Sequence, residues 1–260
     1  MASNDRTIDA LTNGDFDHEA LPGGVAMSSG VTPATETWRS RETPLQQLLR
    51  NAGEFGRALL RTLLLSVLLT TLILTAFLTV DLPLRGLDRF FLTDALKPGL
   101  WLRWGLVAMS AGPLLIVMIA RRYGGDEAGR VITASWGVAA VAAFAEISYL
   151  APRLAPGDFP SAQFLAAFVI SAMAGQYIAA GLYDVTRGGG QWWRAALYSA
   201  LSGLTVHSFL YFPIAYWGTR APWLHWMVGD LALKSAMALA FLPVYRLFRK
   251  RLRPRGGFGG

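Results

Sequence analysis

The chain has 260 residues, 53% of them apolar and only 16% charged, with a net charge of +7. That balance leaves too little polar skin for a soluble domain and points to an integral membrane protein. The absence of cysteine excludes disulfides and thiolate metal sites, and the basic residues flank apolar segments without forming an aromatic-interleaved stripe, so no nucleic-acid partner is expected.

Residues 1–42 are rich in Ser, Thr and Asn, carry five carboxylates before Ala20 and show no sustained apolar period. This stretch reads as a disordered N-terminal tail. It does not read as a secretory signal, because it is acidic where such a signal is basic and has no apolar centre.

Order is expected to begin at Thr43, where Thr43-Pro44-Leu45-Gln46 has capping-box spacing with proline at the first helical position. In the segment 43–61, Leu45, Leu48, Leu49 and Phe55 alternate with Arg50, Arg57 and Arg61. That pattern suits an amphipathic helix on the membrane surface, or a polar lead-in to the first span.

Six apolar runs follow within 62–248, each near the roughly 20 residues needed to cross a bilayer. They are Thr62–Val80, Trp104–Ala120, Val131–Leu150, Phe164–Tyr183, Ala195–Trp217 and Leu224–Phe248. The runs are too long for strands and lack the polar outer face of a soluble bundle. The expected fold is therefore an all-α membrane protein of six transmembrane helices, closed by a basic tail over 249–260.

Orientation follows from the Lys and Arg residues outside the apolar cores. The two termini and the loops Arg121–Arg130 and Asp184–Arg194 hold seventeen of them, and the opposite side holds six. Both termini are thus expected in the cytoplasm, in a multi-pass protein of the inner (cytoplasmic) membrane. Trp192 and Trp193 on one side, and Trp101, Trp217 and Trp223 on the other, fit an aromatic belt in the lipid bilayer.

Small residues recur four apart at Ser171, Gly175 and Ala179 in the fourth span and at Ser199 and Gly203 in the fifth, a spacing that lets helices pack closely. Inside the apolar runs stand Glu146, Gln176, His207, Asp230 and Lys234. Hydrocarbon cannot solvate such groups, so each needs a partner or a polar cavity. His207 lies near the small-residue face, where it can bind a solute, relay a proton or bridge helices. Asp230 and Lys234 are four apart in the order that favours a mutual ion pair. Glu146 lies close enough to a span end to reach the interface. Gln176 offers both a donor and an acceptor, suited to the edge of a neutral heterocycle or to a neighbouring helix.

Motifs for catalysis are missing. Gly124-Gly125-Asp126-Glu127 has no catalytic domain around it, and Gly188-Gly189-Gly190 precedes no Lys-Ser or Lys-Thr. No His-Glu-x-x-His or Gly-x-Ser-x-Gly occurs. No cofactor, no metal and no enzymatic activity are expected.

From Phe159 onward the chain resembles the vitamin-uptake-transporter-like family, also called the queuosine precursor transporter family. The resemblance rests on Phe168 to Gln176, on the basic loop Gly190-Gln191-Trp192-Trp193-Arg194, on Ser202 to Thr219 with His207, Tyr211, Phe212, Ala215 and Gly218, and on Gly229-Asp230 to Lys234. Where the family carries acids, this chain has Val117, Ala179 and His207. The resemblance implies a six-span carrier of 7-deazaguanine precursors. Gln176, His207, Asp230 and Lys234 would be substrate-binding residues, and Tyr211 or Phe212 would stack on the solute ring. The missing acids leave an alternative, a non-transporting membrane subunit that keeps the fold and packs in a larger complex or with copies of itself.

Overall fold

The structure is a computed structural model that describes residues 43–90, 93, 97–150, 152, 161–188 and 190–253. The tail expected over 1–42 and most of the basic tail lie outside these residues. The chain divides into Met1–Asn51, described from Thr43 as the start of a helix, and Ala52–Gly260, which contains the helical bundle.

Seven α-helices form, with no strand among the described residues: α1 Pro44–Leu78, α2 Pro98–Trp101, α3 Trp104–Tyr123, α4 Gly125–Leu150, α5 Ala162–Thr186, α6 Arg194–Tyr216 and α7 Trp223–Arg249. Helix α1 opens on a reciprocal cap in which the Thr43 amide donates to Gln46 Oε1 at 3.0 Å and the Gln46 amide donates to Thr43 Oγ1 at 3.3 Å. It then continues unbroken for 35 residues. The segment 43–61 and the first apolar run are therefore one helix, because nothing between Arg57 and Thr62 breaks the backbone ladder.

Two boundaries differ from the sequence reading. The stretch Arg121–Arg130, expected as a loop, is helical on both sides of Gly124, whose φ of +93° suits a glycine turn. Charge did not end these helices because it is neutralised in place. Glu127, only 4% exposed, accepts from Thr62 Oγ1 at 2.6 Å and pairs with Arg61 at 3.1 Å and Arg130 at 3.5 Å. The first turn of α4 is held from outside, where the Gly125 amide donates to Asp184 Oδ1 at 3.0 Å.

Five helices, α1, α3, α4, α5 and α7, are long and apolar enough by length and composition to cross a membrane. Helix α6 has 23 residues but is diluted by Ser199, Ser202, Thr205, His207 and Ser208. Its polarity is tolerated because His207, Ser208, Tyr211 and Phe212 are all at most 1% exposed. Polar groups are confined to the interior of an otherwise apolar bundle, whose outer surface is apolar as well. Ser110, Ser171, Gln176, Asp230 and Lys234 are buried, while Leu64, Val141, Phe144 and Val185 are more than 60% exposed. Water would penalise that exterior and hydrocarbon accommodates it, so the molecule is a multi-pass membrane protein.

Close backbone contacts set the packing. A Cβ on Gly105 would collide with the Ala76 carbonyl, which joins α3 to α1. Helices α1 and α4 are joined by Ser135 Oγ donating to the Ser66 carbonyl at 3.2 Å. The small-residue faces of α5 and α6 meet. A Cβ added at Gly203 would lie 2.9 Å from Ala179 Cβ and 3.3 Å from Pro113 Cβ of α3.

Candidate functional site

The contact between α5 and α6 decides where the polar side chains go. A Cβ added at Gly175 would lie 3.2 Å from His207 Cβ, so the imidazole leaves α6 directly beside the α5 backbone. His207 is fully buried, and neither Nδ1 nor Nε2 has a hydrogen-bond partner among the described residues. A neutral imidazole carries one donor and one acceptor. Leaving either unmade in a dry interior costs about 1–3 kcal/mol. His207 is therefore not a helix-bridging residue in this conformation, which removes one of the roles its position allowed.

Its neighbour Ser208 points to α7. Ser208 Oγ donates to Asp230 Oδ2 at 2.6 Å, and Lys234 Nζ donates to Ser208 Oγ at 3.0 Å and to Asp230 Oδ2 at 2.6 Å. Asp230 and Lys234 are each 1% exposed, so the ion pair lies in a low-dielectric interior and holds itself together across one helical turn. Ser208 extends the pair to α6 and sets it beside His207 in the chain. The spacing of Asp230 and Lys234 anticipated their pairing; the serine's part was not read from the sequence, although its position next to His207 was the available signal.

Gln176 follows Gly175 on α5 and is fully buried. Its Oε1 accepts from Trp136 Nε1 of α4 at 2.9 Å, while its amide nitrogen meets the Met109 thioether of α3 at 3.8 Å. Gly112 makes room for it, since a Cβ there would lie 2.7 Å from Gln176 Nε2. A thioether is a weak acceptor, so the amide keeps donor capacity that stronger acceptors could use. Gly112-Pro113, Gly175-Gln176 and Gly203 thus form one layer across α3, α5 and α6, with His207 one turn further along α6.

The aromatic residues pack among themselves. Tyr211 meets His207 edge-on at 6.2 Å and Phe164 at 6.0 Å, and Phe212 stacks on Tyr216 at 5.9 Å. The face of Phe212 is thus occupied, while the buried Tyr211 hydroxyl has no hydrogen-bond partner among the described residues. Glu146 is half-buried near the end of α4 and does not join the cluster.

A second buried cluster, unread from the sequence, lies at the C-terminal end of α3. Arg121, 8% exposed, donates to the hydroxyls of Tyr183 at 3.3 Å and Tyr245 at 3.0 Å, and those hydroxyls lie 2.8 Å apart. One guanidinium thereby ties α3 to α5 and α7. Counting Arg121 among loop charges concealed it. An apolar groove of about 410 Å³ lies between α1, α4 and α5, and Trp136 stands both in its wall and against Gln176.

One imidazole, one amide nitrogen and one phenol are thus buried without a strong acceptor or donor among the described residues, beside an ion pair that is complete in itself. Such a set can hydrogen-bond the edge of a neutral heterocycle, and entry requires the helices to part. No curated protein and no solved structure matches the chain. The family model described as Putative vitamin uptake transporter matches residues 103–248, more than half of the chain, which includes every residue of the cluster and leaves α1 outside. On that match, joined to the apolar helices around a polar centre, the chain belongs to the Putative vitamin uptake transporter family and is a transporter-like membrane protein.

Proposed function

We propose that the protein is a six-span carrier of the inner membrane, with both termini cytoplasmic, that moves a small heterocyclic solute such as a 7-deazaguanine precursor of a modified tRNA base. The observation that carries this reading is His207, a fully buried imidazole with both ring nitrogens unpartnered among the described residues, set beside the Ser208–Asp230–Lys234 network. A purine-like edge presents alternating donors and acceptors, which complement an imidazole and an amide. Family membership supports transport, and the asymmetry of Lys and Arg supports the orientation.

In this mechanism Gln176 and His207 hold the solute edge, and Tyr211 contributes its hydroxyl. Asp230 and Lys234 neutralise each other and fix Ser208. Alternating access proceeds by separation of helices around the fixed layer. The role is non-catalytic. The test is uptake of a labelled deazaguanine precursor by cells that lack their own carrier. Accumulation above the empty-vector level is expected, and its absence with the protein present in the membrane would overturn the proposal.

A second reading is favoured by Val117 and Ala179, both fully buried apolar residues at positions where the resemblance implies acids. A cationic solute would lose its carboxylate partners there. Under this reading the protein is a non-transporting subunit that packs against another membrane protein or a second copy. Purification in mild detergent separates the two: a stoichiometric companion that survives salt washing favours the subunit, and a monodisperse lone protein favours the carrier.

A further inference from the structure

A groove of about 550 Å³ opens beside the last turns of α7, lined by Trp192, Leu242, Pro243, Arg246, Leu247 and Lys250. We propose that an anionic phospholipid occupies it, its phosphate held between Arg246 and Lys250 and an acyl chain laid along Leu242, Pro243 and Leu247.

Leu242, Arg246 and Lys250 follow one another at intervals of four residues and so share one stripe of α7, with Pro243 and Leu247 alongside. At about 1.5 Å per residue that stripe runs for about 12 Å, from apolar to doubly basic. A bilayer changes in the same order, from acyl chain to phosphate, as a helix leaves it. Leu247 is 74% exposed and Pro243 is exposed, so the apolar half of the groove is open to an incoming chain.

The fixed wall is Trp192. Its ring stacks on Tyr245 at 6.4 Å and lies under the Arg246 guanidinium at 5.6 Å, which holds that charge over the groove. Neither Arg246 nor Lys250 forms an ion pair among the described residues, in contrast to Arg61, Arg130 and Arg187. The negative end of the helix dipole would oppose an anion here. That opposition is reduced because Arg121 Nη2 donates to the Arg249 carbonyl at 3.4 Å and Arg122 Nη1 donates to the Arg251 carbonyl at 3.0 Å. The charge left over thus faces the groove. A zwitterionic lipid would gain little from two cations, whereas a net anion gains from both. The three apolar lining residues commit the site to a lipid in preference to free phosphate.

The test is native mass spectrometry of the full-length protein released from micelles containing phosphatidylglycerol or phosphatidylcholine. Retention of phosphatidylglycerol over phosphatidylcholine by the unaltered protein is expected, and equal retention would overturn the proposal without any variant being needed. Arg246→Gln with Lys250→Gln should weaken phosphatidylglycerol retention by about 25-fold, taking two surface cations at roughly fivefold each. Arg246→Lys with Lys250→Arg should preserve it. Undiminished retention by the glutamine variant would contradict the assignment. Displacement by millimolar glycerol phosphate would also overturn it, by showing a site for the free anion.

Discussion

Gly175 and Gly203 back onto each other across α5 and α6 so closely that a Cβ on either would lie 2.5 Å from the carbonyl oxygen of the other. Neither backbone can yield without moving a whole helix, and His207 leaves α6 one turn beyond this contact. The position of the candidate site therefore depends on two missing side chains.

Gly175→Ala and Gly203→Ala should each destabilise the protein by about 2 kcal/mol through overpacking. Gly181→Ala, on the same helix with nothing within 4 Å of its Cβ position, should be neutral or stabilising by up to about 1 kcal/mol. Thermal unfolding in detergent, followed by helical circular dichroism, distinguishes the three.

Asp230 and Lys234 should behave as a unit. Asp230→Asn leaves an ammonium buried without its carboxylate and should cost about 3–5 kcal/mol, whereas Asp230→Leu combined with Lys234→Met should recover most of that loss. A double variant no more stable than the single would show that the pair is not self-contained. The same unfolding measurement applies.

At the C-terminal end of α3, Tyr245→Phe removes the acceptor of the 3.0 Å bond from Arg121 and the partner of Tyr183. Arg121 then keeps only the longer bonds to Tyr183 at 3.3 Å and to the Arg249 carbonyl at 3.4 Å. The expected loss is about 1–3 kcal/mol. Hydrogen exchange should locate it at the adjoining ends of α3, α5 and α7.

His207→Leu should separate stability from function. It removes two buried, unpartnered nitrogens, so the protein should keep its stability or gain about 1 kcal/mol, while solute binding falls. A large loss of stability would mean that the imidazole has a structural partner after all. Unfolding and solute-induced thermal shift, measured on the same samples, decide the point.

Much of this was legible in the sequence because it depends on local patterns. Apolar runs marked the long helices, the Thr43–Gln46 spacing marked a cap whose two bonds form, and the four-residue interval of Asp230 and Lys234 marked an ion pair. The ends of α3 and α4 were not legible, since Glu127 looks like a loop carboxylate until Arg61 and Thr62, far away in the chain, reach it. For the same reason Trp136 could not be assigned to Gln176, nor Arg121 to two tyrosines. Those partners depend on which helix faces which, and periodicity does not carry that information.

Transport itself is measured with purified protein in proteoliposomes loaded with no solute and supplied outside with a labelled 7-deazaguanine precursor. The unaltered protein should accumulate label, and His207→Leu, inserted at equal density and equally stable, should lose at least about tenfold of that rate, the loss of one good polar contact. Equal rates for the two proteins, or no accumulation by either, would contradict a solute site built on His207.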